Sequence, residues 1–282
     1  MAAINEKSMT HKAKHKTGRP RFLPTATLLL IALLLASCSG KRQHFSFIQL
    51  SDPQLGMENY AEDLANLEQA VKQINAAEVD FVVICGDLVQ DAADSSFSDV
   101  REVLGQFEVP WYMVPGNHDI GFVPDDSSIA FYREYFGDDY YTLEHKGNTF
   151  IFTNTQLWKS DIGEPSARHT QWFKTTLEDV KKNRRVLVVG HYPLYIKDLE
   201  EEETYSTLPM EKRLELLDLF ENNNVKAYLT GHRHEFVQNY NRGVQLVSVE
   251  STAKNFDDRP LGYRQWDVTP DTMTHRFFSI EN

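Results

Sequence analysis

Five short stretches hold the side chains best placed to do chemistry: Asp52-Pro53-Gln54, Asp87, Gly116-Asn117-His118-Asp119, His191 and His232-Arg233-His234. Each follows an apolar run closed by a small or turn-forming residue: Phe47–Ser51, Phe81–Gly86, Trp111–Pro115, Val186–Gly190 and Ala227–Gly231. A carboxylate set against an apolar run is costly to bury unless it is paired or bound to a cation. Of the eight histidines beyond residue 38, four occupy these positions. Carboxylate oxygens, neutral amide oxygens and imidazole nitrogens together suit two divalent cations. Within the third stretch, Asn117 offers a neutral oxygen and His118 can carry a proton near neutral pH. Asp119 supplies a carboxylate to orient that imidazole.

Short apolar runs bounded by glycine read as buried strands. In open α/β sheets, sites form beyond the carboxyl ends of such strands, so five ends of this kind can converge on one spot. Strands are expected near 44–50, 81–85, 111–114, 140–143, 149–153, 186–189 and 225–229. Apolar spacing of 3.6 residues predicts helices over 60–75, 95–107, 127–136, 167–180 and 210–221, the last with Leu214, Leu217 and Phe220 on one face. Alternating segments near 244–249, 262–268 and 274–280 suggest an antiparallel ending. Strands alternating with helices, then a strand-rich tail, give a layered α/β domain over residues 44–282. The acidic run Asp198–Glu203, in a long loop after His191, is either a solvated loop or a lid that shapes access to the site.

The start of the chain reads as targeting. Six basic residues up to Arg21 precede an apolar core, Leu28–Ala36. That core is shorter than the roughly 20 residues of a membrane span. Leu35-Ala36-Ser37-Cys38 resembles a bacterial lipobox. Residues 1–37 are then a lipoprotein signal, Cys38 the acylated new N-terminus and 38–43 a tether, with the protein lipid-anchored in the bacterial cell envelope and facing the periplasm or exterior. The alternatives are a signal-anchor, or a chance cysteine after an ordinary signal. The whole chain carries −12, and removing a leader with six cations and one acid leaves 245 residues at −17. Such a balance disfavours nucleic acid or anionic lipid as partners held by bulk charge. With Cys38 acylated, Cys85 has no disulfide partner and reads as a buried thiol.

In order and spacing, Asp-x-Gln, Gly-Asp, Gly-Asn-His-Asp, Gly-His and Gly-His-x-His resemble the calcineurin-like metallophosphoesterase superfamily over about residues 45–280. A closer likeness is to the small serine/threonine phosphatases called calcineurin-like phosphoesterase domain-containing proteins. It rests on Ser51–Gln54, Gly116–Gly121, Gly137–Tyr140, Asn154-x-Gln156 and His191-x-Pro193-Leu194. The resemblance implies a four-layer α/β/β/α sandwich of two mixed sheets. It implies two divalent metal ions (Mn, Fe, Zn or Mg, with Mn favoured by the amide ligand) bridged by Asp87. One would take Asp52, Gln54 and His234, the other Asn117, His191 and His232. A bridging hydroxide would attack the phosphate ester, with His118 as general acid oriented by Asp119. The Asp-Arg pair of calcineurin-type enzymes is absent, since Gly86-Asp87 continues as Leu88-Val89-Gln90-Asp91. Phosphomonoester hydrolysis is the function implied. A phosphodiesterase for nucleotides, cyclic nucleotides or lipid head groups has the same metal centre, and a binding module without chemistry is the third reading.

Overall fold

The computed structural model describes residues 44–280. The signal, Cys38 and the tether expected from the sequence lie outside the described residues. Among these, no helix is long and apolar enough to cross a membrane.

Two mixed sheets form the centre. The first has the order β11-β10-β1-β2-β3, built from β1 (Phe45–Leu50), β2 (Phe81–Ile84), β3 (Trp111–Met113), β10 (Gly262–Val268) and β11 (Met273–Ser279). The second has the order β4-β5-β6-β7-β9-β8. Its strands are β4 (Tyr141–His145), β5 (Asn148–Phe152), β6 (Arg185–Val189), β7 (Val225–Thr230), β8 (Val237–Asn241) and β9 (Val244–Ser248). Strands β1, β2 and β3 run parallel, as do β5, β6, β7 and β9. Their sequences are nearly continuous apolar runs because both faces are buried.

Alternate residues of each run serve different layers. Phe47, Phe81 and Val83 join Phe150, Phe152, Leu187 and Leu229 between the sheets. Ile48, Val82 and Ile84 face α1 (Tyr60–Asn75), α2 (Asp94–Leu104) and α4 (Asp126–Phe136). Val186, Val188 and Tyr228 face α6 (Glu164–Val180) and α7 (Met210–Asn222). The layers are therefore α/β/β/α, as the resemblance implies. Phe47 stacks on Phe81 (5.4 Å) and Trp266 (5.8 Å) within the first sheet and meets Phe150 of the second edge-on at 5.2 Å. Gln49 ties the sheets polar atom to polar atom. Its Nε2 donates to the carbonyls of Thr230 (3.1 Å) and Val247 (3.2 Å), and its Oε1 accepts from Trp266 Nε1 (2.9 Å).

The tail departs from expectation. It does not end as one antiparallel unit: β9 lies parallel beside β7, with β8 antiparallel at the edge, while β10 and β11 cross to the first sheet and pair antiparallel with β1 and each other. Both inner strands find a partner already flanked on one side, which buries them better than a separate layer would. Two short helices were not expected, α3 (Asn117–Ile120) and α5 (Gln156–Lys159). On α7 the buried face is Arg213, Leu216, Leu217 and Phe220, while Leu214 is 41% exposed.

Candidate metal centre

The carboxyl ends of β1, β2 and β3 from one sheet and of β6 and β7 from the other meet at one place. They bring Asp52 and Gln54, Asp87, Asn117 and His118, His191, and His232 and His234 into one cluster. All are buried except His118, which is half-buried. Donor atoms of Asp87, His191 and His232 lie within 4.8 Å of one another, and so do those of Asp52, Asp87 and His234. Asp87 belongs to both groups.

The backbone bends sharply to achieve this. Asp52, Gln54, Asp87, His232 and His234 all have positive φ, between 31° and 69°. Together they are five of the eight non-glycine residues so strained among the described residues. Left-handed backbone in a non-glycine residue persists only where its surroundings dictate it, and it gathers at functional sites. The preceding glycines make room. A Cβ on Gly231 would sit 1.6 Å from Ser51 Oγ and 2.4 Å from Asp52 Oδ2, and one on Gly116 2.0 Å from Asp87 Oδ1.

The hydrogen bonds fix each ligand's orientation. His191 Nδ1 lies 2.7 Å from the Cys85 carbonyl, so it donates there and turns the Nε2 lone pair inward. That one nitrogen has Asp87 Oδ2 at 3.1 Å, His232 Nδ1 at 3.1 Å and Asn117 Oδ1 at 3.2 Å around it. One lone pair cannot bond three such neighbours, whereas a cation among them satisfies all four. His234 Nδ1 likewise donates to the Lys254 carbonyl (2.6 Å), leaving Nε2 3.4 Å from Asp52 Oδ1. Asp52 also accepts the His232 N–H at 3.0 Å and Asp87 the His118 N–H at 2.9 Å. Gln54 Nε2 donates to Gln90 Oε1 (2.9 Å), while Gln54 Oε1 is buried with no hydrogen-bond partner. The Gln54 backbone N–H donates to the Asp87 carbonyl at 3.0 Å, and an orphaned buried oxygen on a residue so close to Asp52 and Asp87 in the fold is what a cation ligand looks like without its ion. The residues present fit a dinuclear centre.

Electrostatics point the same way. Burial would lift the Asp87 carboxyl, but His191 and then His118 and His232 hold it well below the usual range. Burial opposes charge on His191, yet the adjacent Asp87 raises it to about 9. His234 is likewise raised against burial, by Asp52. Burial and the neighbouring His191 push His232 well down. Each carboxylate thus draws positive charge to itself, the role two metal ions fill.

Asp119 stands elsewhere than expected. Its carboxylate accepts the N–H groups of Gly116 (2.7 Å) and Leu88 (2.8 Å), so it staples the β3 end to the β2 end. Burial and the nearby Asp87 charge push it up to about 8. The His118 ring is oriented instead by the Gln90 carbonyl, 2.9 Å from Nδ1. Position along the chain suggested the neighbouring carboxylate, but a helical turn points residues 118 and 119 in different directions. Cys85 is free and buried, its thiol pushed far up by burial and by Asp52.

Three residues escaped the sequence. Gln90 lies three places after Asp87, where its side chain holds Gln54 and its carbonyl holds His118. Arg233, the unassigned residue of Gly-His-x-His, donates to Ser206 Oγ at 2.9 Å. Tyr205, the one aromatic beside the acidic run, packs its ring against His232 at 4.9 Å and accepts from Asn117 Nδ2 at 3.3 Å. That bond turns the Asn117 oxygen toward His191. The acidic loop is braced, since Arg213 and Lys159 bind its carbonyls at Glu201, Thr204, Thr207 and Leu208 at 2.7 Å. Its acidic side chains are mostly solvated, and it shapes the site through Tyr205.

A model of the calcineurin-like phosphoesterase family matches residues 45–236. Serine/threonine-protein phosphatase CPPED1 of Danio rerio is 29% identical over 263 residues, covering 84% of this chain and 85% of that protein. The 3',5'-cyclic adenosine monophosphate phosphodiesterase CpdA of Haemophilus influenzae is 27% identical over 216 residues, covering 74% and 77%. The crystal structure of a dimetal phosphatase from Danio rerio has the same fold, with a TM-score of 0.65 at 15% identity over 84% of this chain and 96% of that one. Since the family match takes in all five strand ends that carry the cluster, the chain belongs to the calcineurin-like phosphoesterase family, and it is a metal-dependent hydrolase of phosphoric esters.

Proposed function

We propose that the chain hydrolyses phosphate monoesters, on phosphoserine or phosphothreonine or on small phosphate esters, at two cations shared through Asp87. The observation that carries this reading is the membership of Asp87 in both donor groups. In it, Asp52, Gln54 and His234 hold one cation and Asn117, His191 and His232 the other. Manganese is favoured, because Gln54 and Asn117 contribute neutral oxygens where imidazole would favour zinc. When bound, two such cations neutralise phosphoryl oxygens and lower the pKa of water between them.

The other tasks fall to the chain. His118 donates through Nδ1 to the Gln90 carbonyl, which leaves Nε2 to hold a proton for the departing alkoxide. Gln90 fixes the Gln54 amide at the same time, so one residue sets both the proton donor and a metal ligand. Asp119 keeps the β2 and β3 ends together through the N–H groups of Gly116 and Leu88. The phosphatase likeness, which covers more of the chain than the cyclic-nucleotide one, supports the monoester reading. The likeness to CpdA favours the diester alternative. Metal-stripped protein reloaded with manganese should turn over a phosphoserine peptide and small monoesters at least tenfold faster than cyclic AMP or bis-p-nitrophenyl phosphate. The reverse order overturns the monoester reading.

The apolar core before Cys38 supports anchoring by lipid at Cys38 in a bacterial envelope, facing the periplasm or exterior. Cys38→Ser should release the protein from the membrane fraction. Retention of a cleaved, unacylated form would count against the anchor.

A further inference from the structure

Among the described residues seven large hydrophobic side chains are exposed, and three of these are rings lying against imidazoles of the metal centre. Phe122 meets His118 edge-on at 5.7 Å, Tyr205 tilts against His232 at 4.9 Å, and Phe256 stacks on His234 at 4.8 Å. Their exposures are 48%, 55% and 53%. Phe122 and Tyr205 also touch each other, with centroids 5.4 Å apart and planes tilted by 54°. Rings in such contact leave no slot between them and make one wall.

The wall is held in place. The Phe122 carbonyl accepts from Ser160 Oγ at 2.8 Å. The residues around Tyr205 are fastened by Lys159 at Thr204 and Thr207 and by Arg233 at Ser206. A fixed apolar surface beside a polar reaction centre orients whatever lies on it with little loss of entropy on binding.

Its position decides which part of a substrate it meets. In the phosphomonoester reading, on which this inference rests, His118 delivers the proton to the leaving oxygen. The organic group on that oxygen must then lie on the His118 side, against Phe122 and Tyr205. A short alkyl chain covers little of two ring surfaces. A planar ring covers both and gains offset or edge contacts with them.

We propose that Phe122 and Tyr205 are specificity-determining residues, selecting phosphate esters whose leaving alcohol carries a planar ring, either a benzyl-type ring or a nucleobase. Two matched pairs of primary-alcohol esters test this on manganese-loaded full chain: benzyl against cyclohexylmethyl phosphate, and adenosine 5'-monophosphate against ribose 5-phosphate. In at least one pair the ring-bearing ester should have a kcat/KM about three- to tenfold higher, the range that aromatic contacts supply. The pair that shows it identifies the ring. The preference should fall to about one in Phe122→Leu and Tyr205→Leu and persist in Tyr205→Phe, which keeps the ring. Calorimetric Kd values for benzylphosphonate against cyclohexylmethylphosphonate and for adenosine against ribose 5'-phosphonates, neither pair being hydrolysed, should show the same ratio. Equal kcat/KM within both pairs, with hydrolysis intact, overturns the proposal and leaves the phosphomonoesterase reading standing. So does a ring preference that survives both leucine substitutions. Failure to hydrolyse any of the four esters and a phosphoserine peptide despite full metal content refutes the phosphomonoesterase reading instead, and the phosphonate ratios then decide the wall by themselves.

Discussion

Replacing Arg213 by methionine should unfold a large part of the margin that keeps this protein native. The side chain is fully buried and lies on the inner face of α7. Its guanidinium donates to the carbonyls of Leu208 (2.7 Å), Glu201 (2.7 Å) and Leu199 (3.2 Å) and to Thr207 Oγ1 (2.7 Å). Methionine fills a similar volume, so little of the loss is packing. The Leu208 carbonyl and the Thr207 hydroxyl are in buried residues that water does not readily reach. Leaving a buried acceptor unpaired costs about 1–3 kcal/mol. The acceptors at Leu199 and Glu201 lie nearer the surface and can rehydrate, so each loses about 1 kcal/mol of charge-assisted bonding. The sum is about 4–8 kcal/mol, a large fraction of the stability of an ordinary domain. Urea unfolding of metal-free protein, followed by tryptophan fluorescence, reads this as a lower midpoint with unchanged slope. A shift worth under about 1 kcal/mol would refute the reasoning, since it would mean that water or the loop replaces the arginine without penalty.

Other outcomes follow from the centre itself. Asp87→Asn and His232→Ala should each nearly abolish hydrolysis and reduce bound metal, the former at both positions; full metal content measured by atomic emission in either variant would contradict the ligand assignment. His118→Ala should keep its metal yet lose about 10²–10⁴-fold in rate on alkyl esters, with a smaller loss on p-nitrophenyl phosphate, whose leaving group needs less help from a proton; equal losses would remove His118 as proton donor. Gln54→His, which exchanges an amide oxygen for an imidazole nitrogen and loses the bond to Gln90, should bind zinc more tightly than the parent by calorimetry. Tyr205→Phe should weaken metal binding about tenfold by freeing the Asn117 amide to turn, the scale of effect that outer hydrogen bonds have on metal sites; unchanged affinity would show that the amide holds its orientation without the hydroxyl.

The strand ends were legible because two signals coincided at each: an apolar run closed by a small or turn-forming residue, and a metal-binding side chain just after it. A layered α/β domain followed from the same runs alternating with helices, and its division into two sheets from the family resemblance. What sequence could not supply was orientation. Leu214 has the apolar side chain that helical periodicity assigns to the core, yet it is Arg213 that is buried. Periodicity counts hydrophobicity, and a cation that finds four acceptors is buried for a reason periodicity cannot register. Asp119 was expected to orient its neighbour His118 because it is adjacent in sequence, whereas the orienting group is a backbone carbonyl, which any residue at position 90 supplies. Tyr205 lies in a loop without periodic pattern, and its place beside His232 depends on clamps from Lys159 and Arg233, distant in sequence. The division of the tail between sheets was hidden too, because alternation says which residues face a core and does not say which strand lies alongside.

That division has a bearing on how the chain reaches its native state. β1 is among the first described residues to leave the ribosome, but its antiparallel partner is β10, and the side-chain bond from Ser46 to Asp267 joins residues 221 apart. The sheet that supplies Asp52, Asp87 and Asn117 therefore closes only after β10 at Gly262–Val268 has been made, while the second sheet's β5, β6 and β7 form their ladder from closer neighbours. Contacts of such long sequence separation slow folding because the intervening loop must close before any gain is realised. Until β10 arrives, β1 presents an open apolar edge next to the half-built centre. Pairing of β1 with β10 therefore waits on residues 262–268, and a chaperone that shields β1 would act before that pairing.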